Sequence, residues 1–161
     1  MNEHHDLLES LNQQGSLRDK LIAAHAAIKK LYPEIARIAV AIYDPETKVL
    51  KTYLHSSGGD NPLQNYQTLL DNAPSLKAIL KMGLPRVINN MLTFEDSKHE
   101  HTQRIGRTGY AASYTLPMFN NGHFFGFIFY NSRQKDIFTE KILNQLDIFG
   151  HMISLMVINE M

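Results

Sequence analysis

Residues 109–132 constrain the fold more than any other part of the chain. They read GYAASYTLPMFNNGHFFGFIFYNS, in which two runs rich in aromatic and β-branched residues lie on either side of Asn120-Asn121-Gly122. Because Asn and Gly tolerate positive φ at little steric cost, this pattern predicts a β-hairpin. The second run, 124–130, is continuously apolar, which is typical of an inner strand covered on both faces. The segment therefore predicts a hairpin in the middle of an antiparallel sheet.

Two residues of this hairpin predict departures from a regular strand ladder. Gly126 lies inside the apolar second run, which indicates that another backbone or a ligand comes close there. Pro117 has no amide hydrogen to donate, so it marks a bulge or the outer end of the hairpin.

Hydrophobic periodicity and turn residues predict the other elements. They are a helix after an N-cap at Ser16, strands at 35–43 and 49–55, a helix at 66–82 in two pieces broken at Pro74 with Ser75 capping the second, a short edge strand at 85–89, and a long helix at 136–161. We expect an accessory N-terminal helix in residues 1–15 and one domain in 16–161. The last helix has no Gly or Pro stop signal, so it can continue into an output domain.

Composition excludes several classes of function. Among 161 residues, 16 Lys and Arg balance 16 Asp and Glu, which predicts no general attraction to nucleic acid or anionic membrane. Cysteine is absent, which excludes disulfides, thiolate metal sites and thiol catalysis. The sequence has neither a signal peptide nor a run of about 18 apolar residues, so we expect a cytoplasmic protein without a membrane partner.

The order of elements is similar to that of a GAF domain. The residues that carry the resemblance are RIAVAIY, NAPSLKAILKMGLPRVINN, and GYAASYTLPMF followed by GHFFGFIFY, with the Leu116-Pro117-Met118 step and Gly126 in matching places. The resemblance implies an α/β (α+β) fold. In it, a central antiparallel sheet carries the N- and C-terminal helices on one face and a helix and loop lid on the other.

The resemblance also implies a regulatory function. GAF domains mostly sense small ligands and pass their state to an attached enzyme through parallel helices. Leu-Pro-Arg-Val-Ile-Asn looks most like sensors of bacterial signalling proteins, including those linked to histidine kinase, cyclase or phosphohydrolase domains. A chain without Cys resembles neither the covalent bilin binders nor the free methionine sulfoxide reductases of the family. It also lacks the Asn-Lys-Phe-Asp-Glu series of cyclic-nucleotide phosphodiesterases, and Ala111-Ala112 replaces the usual Arg-Ser.

Aromatic and hydroxyl side chains on the predicted strands have the composition of a small-molecule pocket between the sheet and the long polar segment 90–108. The candidates are Tyr43, Tyr53, His55, Tyr110, Ser113, Tyr114, Thr115, Phe127 and Phe129. The alternative is that these residues simply pack the core. At the mouth of the pocket, a carboxylate or phosphate clamp would consist of Arg104 and Arg107 with Asn89 and Asn90; solvated surface positions are the alternative.

His99-Glu100-His101 is a weak metal candidate, because alternate residues of an extended segment point the same way. A site would need a third ligand from Glu95, Asp96 or His123, and a haem would use His99 or His101 as its axial ligand. The alternative is a solvated polar loop. No Gly-x-Ser-x-Gly, Walker or Rossmann motif is present, so we predict no enzyme activity and leave the cofactor unknown.

We therefore expect a non-catalytic sensor domain whose ligand binds under residues 90–108 and shifts the last helix. The outer apolar stripe of that helix, Ile148, Met152 and Leu155, is expected to pair with its copy in a homodimer. The rival interpretation is a structural dimerisation module that binds no ligand.

Overall fold

The computed structural model describes residues 6–56, 67–91 and 109–161, and six of its strands form one antiparallel sheet. The strands are β1 (Ile35–Asp44), β2 (Val49–His55), β3 (Gln67–Leu69), β4 (Arg86–Ile88), β5 (Ala112–Asn120) and β6 (His123–Ser132). Their spatial order is β3-β2-β1-β6-β5-β4, so the central pair is β1 and β6. The predicted hairpin is β5–β6, and only its second strand is central.

In the described residues, three α-helices cover the two faces of the sheet: α1 (Leu17–Leu31), α2 (Pro74–Met82) and α3 (Glu140–Glu160). Alternate residues of the central strands separate the two layers. Ile38 and Ile128 belong to the core shared with α1 and α3, whereas Ala39 and Phe129 belong to the core shared with α2. This arrangement confirms the predicted sheet with the terminal helices on one face.

The hairpin has the geometry that its sequence predicts. Asn121 and Gly122 form the turn with φ of 51° and 81°. Pro117 lies on β5 beyond the residues that pair with β4, next to an irregularity in the β5–β6 register. Gly126 touches the neighbouring strand, because a Cβ at this position would lie 2.1 Å from the carbonyl oxygen of Ala41.

Residues 66–82 differ from the prediction. The first piece is not a helix: its described part consists of β3 and a 3-10 turn at Leu70–Asn72. Ser75 is not the cap of α2, since Ala73 holds the N-cap position and Pro74 begins the helix. The Ser75 hydroxyl instead accepts a hydrogen bond from the Arg86 guanidinium. In the N-terminal stretch, a four-residue 3-10 helix spans Glu9–Asn12.

The last helix begins at Glu140, after a Thr139 cap whose side chain accepts a hydrogen bond from the backbone of Ile142. Its inner side is fully buried at Leu146, Ile153 and Val157. By length and composition alone α3 is also apolar enough to cross a membrane, a test that core helices of soluble proteins pass as well.

Candidate ligand site and its link to the last helix

A row of three polar side chains crosses the sheet on the face that α2 covers. Arg37 of β1 pairs with Asn131 of β6, which in turn pairs with Ser113 of β5. Directly paired residues of neighbouring strands project from the same face, so these three side chains are neighbours. All three are 0% exposed. We call Arg37, Asn131 and Ser113 the polar row.

Two members of the polar row have unsatisfied polar atoms. Within the described part of the chain, neither the Ser113 hydroxyl nor the two polar atoms of the Asn131 amide have a hydrogen-bond partner. Leaving such a group buried and unbonded costs about 1–3 kcal/mol. Native proteins rarely retain several of them together without a ligand or water to satisfy them. The row therefore has the chemistry of a binding site.

The third member, Arg37, contributes positive charge. Burial lowers the pKa of its guanidinium to about 10, an effect that Tyr110 partly opposes. This value is above neutral pH, so Arg37 stays protonated. Tyr110 is itself buried, and the guanidinium carbon of Arg133 lies 4.6 Å from the centre of its ring.

A second guanidinium lies on the same face of the sheet. Arg86 of β4 pairs with Thr115 of β5, one row along from Ser113. It donates hydrogen bonds to Ser75 at 2.5 Å and to the Thr115 hydroxyl at 3.2 Å. The Thr115 hydroxyl thus has a hydrogen-bond partner, whereas the Ser113 hydroxyl has none in the part of the chain that the structure describes.

The other half of this face is filled with aromatic side chains beneath α2. The Phe127 ring lies 5.0 Å from that of Phe124 and 6.0 Å from that of Phe129, and Tyr43 lies 5.1 Å from Phe124. Phe127 and Phe129 are completely buried in this cluster. These rings therefore form packed core next to the polar row.

The polar row is directly connected to residues that hold α3. Tyr114, which follows Ser113, faces the other side of the sheet and donates a hydrogen bond to the Asp147 carboxylate at 2.5 Å. Tyr130, which precedes Asn131, donates one to the Leu146 carbonyl at 3.0 Å. Burial and the nearby Asp147 raise the pKa of both phenols, so both remain donors.

Gly150 brings α3 close to the sheet at the same place. A Cβ on Gly150 would lie 2.7 Å from Leu116 Cδ1 and 3.6 Å from the Tyr130 hydroxyl. On its other side, α3 leaves Ile148 and Leu155 exposed at 64% and 67%. Met152 is only partly buried and borders a surface groove that also contains Leu8 and Leu11.

Comparison with solved structures identifies the architecture. The GAF domain of an Acinetobacter phosphoenolpyruvate-protein phosphotransferase is similar at a TM-score of 0.69 and 14% identity, over 95% of this chain and 89% of that one. The chain has the GAF fold. A GAF domain/HD domain protein from Geobacter sulfurreducens is also similar, at 0.69 and 15% identity, over 94% and 96% of the two chains. A free methionine-R-sulfoxide reductase from Neisseria meningitidis, solved with its substrate, has a TM-score of 0.69 at 13% identity, over 93% and 83%. No family model and no curated protein matches the sequence.

Within this GAF fold, some predicted ligand residues lie at or beside the polar row and others do not. Ser113 is a member of the polar row, and Thr115 lies one row along the same strand. Burial lowers the pKa of Arg37, and Tyr110 partly opposes this effect. Tyr53 lies elsewhere: it is 51% exposed and lines a separate surface cavity with Ile42 and Met161.

The side-chain amide of Asn89 forms hydrogen bonds with backbone groups. It donates to the Phe138 carbonyl at 3.3 Å and accepts from the Phe138 amide at 3.0 Å, which ties β4 to the segment before α3. The candidates Glu95, Asp96, His99, His101, Arg104 and Arg107 lie outside the described residues. Among the residues that are described, no group of three metal-binding side chains occurs.

Sequence reasoning missed Arg37 and Asn131, the two members of the row that lie on the central strands β1 and β6. Both residues sit in otherwise apolar strand sequences, IARIAVAIY and FGFIFYNS. A charged or amide side chain within a continuous buried strand is costly, and that cost is the signal that would have found them.

Proposed function

We propose that this GAF-fold chain is a non-catalytic, cytoplasmic sensor domain that binds a small molecule at the polar row. The observation that carries the proposal is the pair of fully buried side chains, Ser113 and Asn131, whose polar atoms lack partners in the described part of the protein. A ligand that bonds to them would remove the cost of their burial. A regulatory role is supported by the similar fold of the GAF domain that belongs to a phosphoenolpyruvate-protein phosphotransferase.

We propose that the signal passes through the sheet to α3. Ser113 and Asn131 are chain neighbours of Tyr114 and Tyr130, whose hydroxyls bond to consecutive residues of the helix. A ligand that shifts the polar row therefore also shifts two anchors of α3. Transmission requires that the ligand bind the two helix positions with different affinity. An output domain attached beyond α3, of the phosphohydrolase or cyclase type, would receive this movement.

The proposed assembly is a homodimer through the exposed stripe of α3. Ile148 and Leu155 are separated by seven residues and therefore lie on the same side of the helix. Both are largely exposed. Pairing with a second copy would bury them, and Met152 would contribute at the margin.

The first experiment is native mass spectrometry of the purified protein beside a denatured control. We expect a particle of two chains with an extra mass that denaturation removes. Bound haem or a metal ion would instead support the alternative of a sensor that uses His99 or His101. If the purified protein carries no bound molecule, a thermal-shift screen with nucleotides and metabolites tests for ligands that raise its melting temperature. No extra mass and no response to any compound would overturn the sensor proposal in favour of the structural module.

Transmission is tested with Tyr114→Phe, which removes only the hydroxyl that bonds to Asp147. We expect the variant to bind the identified ligand with nearly unchanged affinity, while ligand-dependent changes in hydrogen exchange along α3 become smaller. The control is Tyr53→Phe, which removes a hydroxyl from a side chain that is 51% exposed on β2 and leaves both tyrosine hydrogen bonds to α3 in place. If Tyr114→Phe leaves the exchange response intact, the proposed route is wrong although the ligand site stands.

An enzyme is the rival, since the similar sulfoxide reductase was solved with its substrate. The chain has no Cys, so such an enzyme would work without a thiol nucleophile. Conversion of the identified ligand into a product of different mass would overturn the non-catalytic part of the proposal.

A further inference from the structure

We infer that the polar row takes a small carboxylate that also carries a hydroxyl or amino group. This inference rests on the proposed function, because it names the class of ligand for the same site. It is argued from the charge, the hydrogen-bonding groups and the spacing of Arg37, Asn131 and Ser113.

The charge of the site favours an anion. Arg37 presents a planar guanidinium in a completely buried position, and Arg86 adds a second cation on the same face of the sheet. Such a planar fork matches the two oxygens of a carboxylate in a bidentate pair. In a buried environment this attraction is screened much less than at the surface.

The hydrogen-bonding groups specify more than charge. Asn131 has both its oxygen and its nitrogen buried and unbonded within the described residues, so it needs one acceptor and one donor. This requirement is the same whichever way the amide is oriented. The Ser113 hydroxyl can donate to a carboxylate oxygen. A carboxylate satisfies the donors, and a hydroxyl or amino group on the same molecule satisfies the Asn131 oxygen.

The spacing of the row limits the size of the ligand. Its three members lie on adjacent strands, so the outer Cα atoms are separated by about 10 Å. Their side chains project from the same face of the sheet, so a ligand that contacts all three members at once need be no longer than about this distance. Phe129, one row along and 1% exposed, closes the apolar side. Small hydroxy acids and amino acids are long enough to contact these groups.

The test uses matched small molecules that differ in one group. Lactate, malate, alanine and aspartate carry both features; propionate and succinate lack the donor; lactamide and malamide lack the carboxylate. We expect at least one compound of the first set to bind in isothermal titration calorimetry. Its partners that lack either feature should bind at least about tenfold more weakly, because each leaves a buried group unpaired.

Variants of the full chain locate the binding. Replacement of the fully buried Arg37 risks misfolding, so the test relies on Ser113→Ala, which should weaken binding about tenfold. Ser154→Ala, on α3 at the other face of the sheet, is the matched control and should not change affinity. Binding that survives Ser113→Ala would place the ligand elsewhere and overturn the inference.

The remaining outcomes separate this inference from the proposed function. If amides bind as well as acids and depend on Ser113, the carboxylate inference is wrong while the sensor site stands. If no acid of the first set binds, the inference is also overturned. The sensor proposal then falls as well only if the native mass spectrum and the metabolite screen are both empty.

Discussion

At the scale of single residues, the buried Asn131 amide, which is unbonded within the described residues, predicts how its replacement changes the free energy of unfolding. Asn131→Leu replaces a buried amide that has no hydrogen-bond partner among the described residues by an apolar group of similar shape, which is often neutral or stabilising. We expect the ligand-free protein to gain about 1 kcal/mol in free energy of unfolding, measured by urea denaturation. Sites built for ligands commonly have such a cost to stability.

Asn89→Leu is the matched control, because it makes the same replacement at an amide that is satisfied. Asn89 has two hydrogen bonds to the backbone of Phe138. Its loss should cost about 2 kcal/mol, since buried backbone groups are left unpaired. If Asn131→Leu destabilises the protein as much as Asn89→Leu does, the Asn131 amide is satisfied in the free protein and the site argument fails.

At the scale of elements, the central pair of strands depends on Gly126. A Cβ there would lie 2.1 Å from the backbone oxygen of Ala41, and a backbone atom cannot move aside as a side-chain end can. Gly126→Ala should therefore cost about 3 kcal/mol by overpacking between β1 and β6. Gly15→Ala, where nothing lies within 4 Å, should change stability little. Equal midpoints for the two variants in urea would contradict the close approach.

The same elements show what the sequence can predict. The β5–β6 hairpin follows from local signals, namely Asn121-Gly122 and its apolar flanks. The three-residue strand β3 has no period of its own and exists because it pairs with β2, as at Val49 and Leu69. Tyr53 lies apart from the polar row, at a bulge where Val40 pairs with Leu54 and Ala41 pairs with Thr52. Its side-chain direction therefore does not follow from simple alternation.

At the scale of the whole molecule, α3 has two functions in the proposal. Its inner side receives the hydroxyls of Tyr114 and Tyr130 next to the polar row. Its outer side, at Ile148 and Leu155, is exposed and apolar. A homodimer through this outer side would join the two sensor sites through a pair of parallel helices. A shift of α3 in one protomer would then change its packing against α3 of the other.

The dimer is tested by placing charge on the outer side of α3. Ile148→Glu combined with Leu155→Glu should give a single chain in light scattering, where the parent protein has the mass of two, because buried unpaired carboxylates oppose association. Met152 is left unchanged, since it is partly buried and its replacement would also disturb the fold. Met82→Glu is the matched control, because Met82 is 68% exposed on α2 at the opposite face. A double variant that still forms dimers would exclude this stripe as the interface, and a parent protein that is monomeric would confine signalling to α3 of one chain.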